Sequence, residues 1–366
     1  MGALMGRGTG CGSRAAGAAI AIATNNGDIG GGEVMLLAIA DALAQMGIDP
    51  LVIGPSGPGD LVEESVLRGF DTIALRADSR PAYIAALARW RLSHLDLPLW
   101  CNGLVPTFAT AGMGPRIGHL HILPTGPNAR AARLGRIGAD TLLVPSRAMA
   151  QQIPGTRVFA NWTAPLDRLP PRAGDSEAPR IGFLGRLTRG KGVDVLARAM
   201  RTVIEARLGA RLVLAGENRF GSPEDDAAIR AALAPIEANV ERLGWVGREE
   251  FFSSIDLAVF PSVWPESFGL VVAEAMALGV PFVVSDAGAL VEVAGIEHPW
   301  VARAGDAASL ARTIRFALSA SPEKLDRVLS AARLRWEQQF SPEAGTRRVA
   351  QLLSDLSPHS WTEETR

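Results

Sequence analysis

A chain of 366 residues with 48% hydrophobic and 20% charged side chains has the length of about two ordinary domains and the composition of a core-forming protein. Its formal net charge of -1 gives no footprint for nucleic acid. No apolar run reaches the roughly 18 residues that span a bilayer. The two cysteines, Cys11 and Cys101, lack metal-ligand spacing, which leaves a reduced, cytosolic protein as the expectation.

From the N-terminus, the Gly- and Arg-containing leader within residues 1–15 is expected to be disordered. The apolar stretch Ala16–Thr24 is too short for a signal peptide and reads as a first buried strand. Strands are then predicted at Ala18–Ala23, Pro50–Ile53, Thr72–Leu75, Pro98–Cys101, Ile117–His121, Thr141–Val144 and Arg157–Ala160. Helices are predicted between them, at Gly32–Met46, Leu61–Arg68, Pro81–Arg91, Asn128–Ile137 and Arg147–Gln152. This alternation is the pattern of a parallel sheet with crossover helices. Residues 164–179 hold four prolines among small and charged residues and read as a linker. Strands resume at Arg180–Leu184, Arg211–Ala215, Val240–Leu243, Leu257–Phe260 and Pro281–Ser285. The predicted fold is α/β, with two Rossmann-like domains facing across a cleft, residues 16–163 and 180–340. A last helix, residues 341–356, should cross back to the first domain, leaving Ser357–Arg366 loose.

Three segments carry chemistry. In Pro261–Gly279 a buried strand ends in a proline-rich loop, a helix is predicted from near Phe268, and Gly279 stands at a C-cap position. Glu266 then lies just ahead of the helix and Glu274 on its second turn. The free N–H groups and positive dipole end offer a phosphate site, while carboxylates can accept from sugar hydroxyls. Acids near a helix N-terminus also complement the dipole without binding anything. The second segment, Gly182–Gly192, follows a strand and supplies Arg186 and Lys191 as cations for a phosphate. Lys191 is one of only two lysines among 37 basic residues, which suggests that a compact ammonium is wanted there. A solvated basic turn is the alternative, and the Walker spacing is missing. The third, Asn26–Glu33, opens the first helix through a glycine turn. The following strand, Leu51–Pro55, offers no acid for a ribose, which argues against NAD.

Together these segments resemble the retaining glycosyltransferases of family 4, also called glycosyl transferases group 1, which have the GT-B fold. The most specific part is the pair of glutamates eight residues apart within Pro265–Gly279, combined with Gly185-Arg-Leu and Lys191-Gly. The resemblance implies a donor diphosphate held by Arg186 and Lys191, its ribose by Glu274, and the transferred sugar by Glu266. Amides of Phe268, Gly269 and Leu270 would complete the contacts, and Gly31 and Gly32 would permit close backbone approach. Val246, in Gly244–Gly247, would flank the base, and His121 would be the active-site histidine, with His119 its rival. Arg186, Lys191, Glu266 and His121 form the implied catalytic set. No cofactor or metal is implied, since no Asp-x-Asp pair occurs; a nucleotide-sugar serves as co-substrate. The implied partners are that donor and a carbohydrate, lipid-linked or small-molecule acceptor, with no nucleic acid. The activity is a hexosyl transfer in polysaccharide or envelope assembly, in the cytoplasm or at the inner membrane face. Arg130, Arg133 and Arg136, three residues apart on a predicted helix, could hold a phosphate- or lipid-linked acceptor or form a solvated face. Trp90, between Arg89 and Arg91, leaves a peripheral membrane surface open. A sugar-nucleotide epimerase or hydrolase, or a binding protein without turnover, also fits the motifs. The text departs from the family at Asn161-Trp-Thr-Ala and at Gly288-Ala-Leu-Val-Glu292, which bears on donor specificity.

Overall fold

The computed structural model describes residues 18–170, 178–218 and 222–356, and these divide into two units. The first runs to Trp162 and resumes at Pro342; the second runs from Thr163 to Ser341. The leader, the end of the chain from Ser357 and the middle of the expected linker lie outside the described residues.

The first unit contains β1 (Ala19–Ala23), α1 (Gly31–Gln45), β2 (Asp49–Pro55), α2 (Asp60–Leu67), β3 (Asp71–Leu75), α3 (Arg80–Leu92) and β4 (Leu99–Asn102). It continues through α4 (Leu104–Ala109), β5 (Arg116–His119), α5 (Pro127–Gly135), β6 (Thr141–Val144), α6 (Arg147–Gln152) and β7 (Arg157–Val158). The second unit holds β8 (Arg180–Leu184), α7 (Val193–Val203), β9 (Arg211–Ala215), α8 (Pro223–Leu233), β10 (Val240–Gly244), α9 (Arg248–Ser253) and β11 (Leu257–Phe260). It ends with α10 (Leu270–Leu278), β12 (Phe282–Ser285), α11 (Leu290–Ala294), β13 (Val301–Ala302), α12 (Ala307–Leu318) and α13 (Pro322–Gln339). The chain then returns to the first unit as α14 (Pro342–Asp355).

Both sheets are parallel. The first has the order β3-β2-β1-β4-β5-β6-β7 and the second β10-β9-β8-β11-β12-β13. In each, the order reverses beside the first strand, between β1 and β4 and between β8 and β11. Ligands of open α/β sheets bind outside the strands' carboxyl ends at such a switch point. The strands are nearly continuous apolar runs because helices cover both faces. In the first unit, Ile20, Ile22 and Trp100 pack with Met35, Leu36, Ile39 and Leu43 of α1, and with Val349, Leu352 and Leu353 of α14. The return helix seats at Gly345, where a Cβ would stand 2.2 Å from the Trp162 indole.

Two boundary shifts bear on the site. β5 stops at His119, so His121 lies beyond the strand and not at its end. The helix expected from near Phe268 begins at Leu270, because Gly269 takes a left-handed conformation (φ +101°) as its N-cap and Phe268 turns into the core. The Leu290 side chain lies 2.6 Å from where a Cβ on Gly269 would be, so this turn has room only for glycine.

Candidate functional site

At the switch point of the second unit, two loops meet. The exit of β8, residues 185–192, is tied to the exit of β11 by Gly190, whose carbonyl accepts from Val263 N (2.9 Å) and Trp264 N (3.1 Å). Gly192, with φ +76°, caps α7 and lies so close to Pro261 that a Cβ would stand 1.9 Å from its carbonyl oxygen. That approach brings Lys191 to Glu266: Nζ donates to Oε1 at 2.6 Å, with Ser262 Oγ donating to the same oxygen at 2.6 Å. Glu266 is held in turn by a parallel bridge to Gly288 and by Ala289 N, which donates to its carbonyl at 2.9 Å.

Glu274, 4% exposed, sits on the second turn of α10. Its Oε1 accepts from Arg248 Nε at 2.6 Å, and its Oε2 is buried without a partner. Burial pushes its pKa up against the opposing pull of the Arg248 guanidinium. Arg186 is exposed on the β8 exit and forms no ion pair among the described residues. The Phe268 ring packs edge-on against Phe340 at 5.5 Å, so of this predicted residue only the backbone is left to face a ligand. Leu270 opens α10, and Val246 is half-buried between exposed Trp245 and α9. The structure thus joins Lys191 to Glu266 directly and leaves Arg186 reaching solvent.

The predicted residues of the first unit form a separate group. Gly31 and Gly32 open α1, where Glu33 reaches back to Gly30 N at 3.2 Å and accepts from Thr24 Oγ1 at 3.2 Å. Burial raises the Glu33 pKa. His121 is half-buried, and its two ring nitrogens differ: Nε2 lies 2.7 Å from Asn102 Oδ1, whereas Nδ1 is buried and has no partner among the described residues. Burial lowers its pKa to about 4. His119 is wholly buried on β5 beside Trp100 and Phe159. Arg248, Ser262 and Asn102 were invisible as site residues in the sequence. Ser262 and Asn102 follow or end β11 and β4, which flank the two switch points, while Arg248 follows β10 at the edge of the second sheet; reading any of these places needs the sheet order.

Arg91, expected on a surface with Trp90, is fully buried and donates to the carbonyls of Met113, His94, Leu95, Leu97 and Pro115. Among the described residues no helix is long and apolar enough to cross a membrane, and no three His, Cys, Asp or Glu side chains converge as metal ligands.

This pair of parallel-sheet units has the GT-B fold. Anabaena HepE, solved with UDP and glucose, matches 92% of this chain and 99% of its own with a TM-score of 0.79 at 22% identity. The chain is related to the family described as glycosyl transferases group 1, whose model matches residues 178–320, within the second unit. An uncharacterized glycosyltransferase of Methanocaldococcus jannaschii is 40% identical over 121 residues, 32% of this chain and 29% of its own length. The D-inositol 3-phosphate glycosyltransferase of Segniliparus rotundus is 28% identical over 332 residues, 72% of this chain and 71% of its own.

Proposed function

We propose that the chain is a retaining hexosyltransferase that takes its sugar from a nucleoside-diphosphate donor, a UDP- or GDP-sugar, bound by the second unit. The observation that carries this is the Lys191–Glu266–Ser262 contact beside the N-terminus of α10, with Glu274 one turn further on. A lysine ammonium has three donors, so Lys191 can keep Glu266 and still take a phosphate oxygen. Arg186 and the free amides of Gly269 and Leu270 supply the remaining positive field, with the Phe268 amide beside them. Glu266 accepts from a hydroxyl of the transferred sugar, Glu274 Oε2 from the ribose, and backbone groups around Val246 read the base.

Breaking the bond between C1 of the sugar and the diphosphate oxygen leaves positive charge on C1 and negative charge on the leaving group. Lys191, Arg186 and the α10 dipole stabilise that negative charge, so turnover needs no metal. The acceptor oxygen bonds to C1 on the face the diphosphate leaves, and its proton passes to the departing phosphate oxygen. No protein nucleophile is assigned. The first unit, with its return helix, serves the acceptor, which is a glycan, a lipid-linked sugar or a small molecule. Gly31 and Gly32 provide its close backbone turn and His121 its sugar-facing histidine. The setting is polysaccharide or envelope assembly in the cytoplasm. UDP in the Anabaena structure supports a nucleotide-linked donor, and the name of the Segniliparus relative supports glycosyl transfer.

The test is a ligand panel of UDP, GDP, ADP and TDP in EDTA, followed by transfer assays with the matching sugars. One diphosphate at about 100 times its dissociation constant should stabilise the protein by about 2.7 kcal/mol. Lys191→Ala should weaken it about 10- to 100-fold, the worth of a charged hydrogen bond. Silence across the panel, or turnover abolished by EDTA, overturns this reading; free sugar released without an acceptor would make the protein a hydrolase.

A further inference from the structure

Asn102 ends β4 at the switch point of the first sheet, and its amide touches two groups that the proposed function uses. Nδ2 donates to Gly32 O at 3.0 Å, and Oδ1 lies 2.7 Å from His121 Nε2. Chemistry fixes this orientation. The Gly32 carbonyl can only accept, so the amide NH2 must face it and the amide oxygen must face the ring. That oxygen also only accepts, so His121 Nε2 carries the proton. In a neutral ring Nδ1 is then a lone pair, and it is the atom that stands buried with no partner. The ring lies against the first turn of α1, where a Cβ on Gly32 would be 3.4 Å from His121 Cδ2.

The neighbours keep the ring neutral. The titratable group beside it is His119, whose centroid is 4.2 Å away. Trp100 Nε1 can only donate, and at 3.4 Å it does so to His119 Nδ1, so His119 holds its own proton on Nε2. Burial drives the pKa of both rings down, and no carboxylate counters it at either.

We propose that Asn102 is the positioning residue of His121, locking it as the Nε2–H tautomer so that Nδ1 accepts a hydrogen bond from a substrate hydroxyl. The substrate role rests on the transferase reading above, whereas the tautomer does not. His121 in this state cannot give up a proton as an acid; it orients a hydroxyl by accepting from it. A histidine whose second nitrogen is fixed by a partner presents a single defined nitrogen to its ligand.

The experiment uses the full chain labelled with 15N at histidine, with His121→Phe assigning the His121 signals. The wild type should show the neutral Nε2–H pattern at pH 7, unchanged down to about pH 5.5. Asn102→Leu removes both bonds and should lose the single tautomer, lowering kcat about 10- to 100-fold with diphosphate Kd unchanged. Asn102→Asp keeps the acceptor and adds a charge, so it should keep Nε2–H and raise the ring's pKa. That would put a new ionisation near neutrality into the pH profile. It also carries the test if the leucine variant does not fold. A wild-type Nδ1–H pattern, or Asn102→Leu with the wild-type tautomer and kcat, overturns the proposal. If no nucleotide-sugar is turned over, the transferase reading and the substrate role fall, while the spectra still decide what Asn102 does to the ring.

Discussion

Gly192→Ala is the sharpest single perturbation of the second unit. An alanine there must hold φ near +76°, which costs an L-residue about 1–2 kcal/mol. Its Cβ would also start 1.9 Å from Pro261 O and 2.8 Å from Pro261 C, backbone atoms that cannot rotate away. The two loops must therefore part by roughly 1 Å, and forced repacking of this kind adds about 1–3 kcal/mol. The total of about 2–5 kcal/mol corresponds to a fall in Tm of roughly 5–15 °C for a unit of this size. The functional loss should be larger than the stability loss suggests. Parting the loops pulls Lys191 from Glu266, and a misplacement of about 1 Å can cost about 100-fold in rate. Gly305→Ala is the control: it has the same left-handed backbone (φ +77°), but its nearest neighbour would be Val263 Cγ1 at 3.9 Å, an ordinary contact. Differential scanning fluorimetry and steady-state transfer kinetics on both variants read the two quantities. If Gly192→Ala loses no more Tm than Gly305→Ala and keeps kcat, the loop approach is not what builds the site.

Two further predictions concern pH. Glu274 is held above its ordinary pKa by burial, so the folded state binds its proton more tightly than the unfolded chain. Its charged form is therefore a penalty at neutral pH that is relieved as pH falls. Arg248→Ala removes the partner that limits this penalty, so its Tm deficit should be larger at pH 8 than at pH 5. With Arg248 half in solvent, a deficit of about 1–2 kcal/mol is expected; a deficit independent of pH would show that the pair is not holding the carboxylate. His298 stacks flat on Phe282 at 4.3 Å, and its Nε2–H donates to Phe282 O at 2.9 Å. Burial lowers its pKa to about 4, so its contribution is complete above the unfolded value near 6.5 and lost as pH falls toward 4. Acid unfolding of His298→Phe should be shallower across that window, and an unchanged slope would refute the assignment.

The alternation of strands and helices was legible because a buried parallel strand is a short apolar run whatever its neighbours are. Lys191, Glu266 and Glu274 were legible because they sit in one loop-helix or strand-loop context, where local spacing fixes their placement. What escaped was set by distance in sequence. Arg248 meets Glu274 across 26 positions, and Asn102 meets His121 across 19, through a sheet order that no local pattern encodes. The start of α10 moved because Gly269 obeys the Leu290 side chain packed over it, not the helical propensity of Phe268. Arg91 and Arg116 were unreadable for another reason. An arginine with no carboxylate partner reads as exposed, yet both are fully buried, with their guanidinium charge spread over backbone carbonyls. The short α4, Leu104–Ala109, and β13, Val301–Ala302, were absent from the expectation because two to six residues carry too little periodicity.

The proposed phosphate site is lined with two glutamates, which looks self-defeating, and the pairing explains why it is not. At about 4 Å, two like unit charges repel by about 4 kcal/mol at an effective dielectric of about 20. That is half of the roughly 8 kcal/mol behind micromolar affinity. In the second unit each glutamate is matched in advance: Glu266 by Lys191 and Glu274 by Arg248, both at 2.6 Å. The exposed guanidinium groups of Arg186 and Arg189 form no ion pair among the described residues, so the loop's surplus charge is positive. The acids can then recognise hydroxyls by geometry while the field at the helix end still favours an anion. A lysine suits the shared position better than an arginine. Its three donors diverge from one atom, so a single side chain can hold a carboxylate on one side and a phosphate on the other.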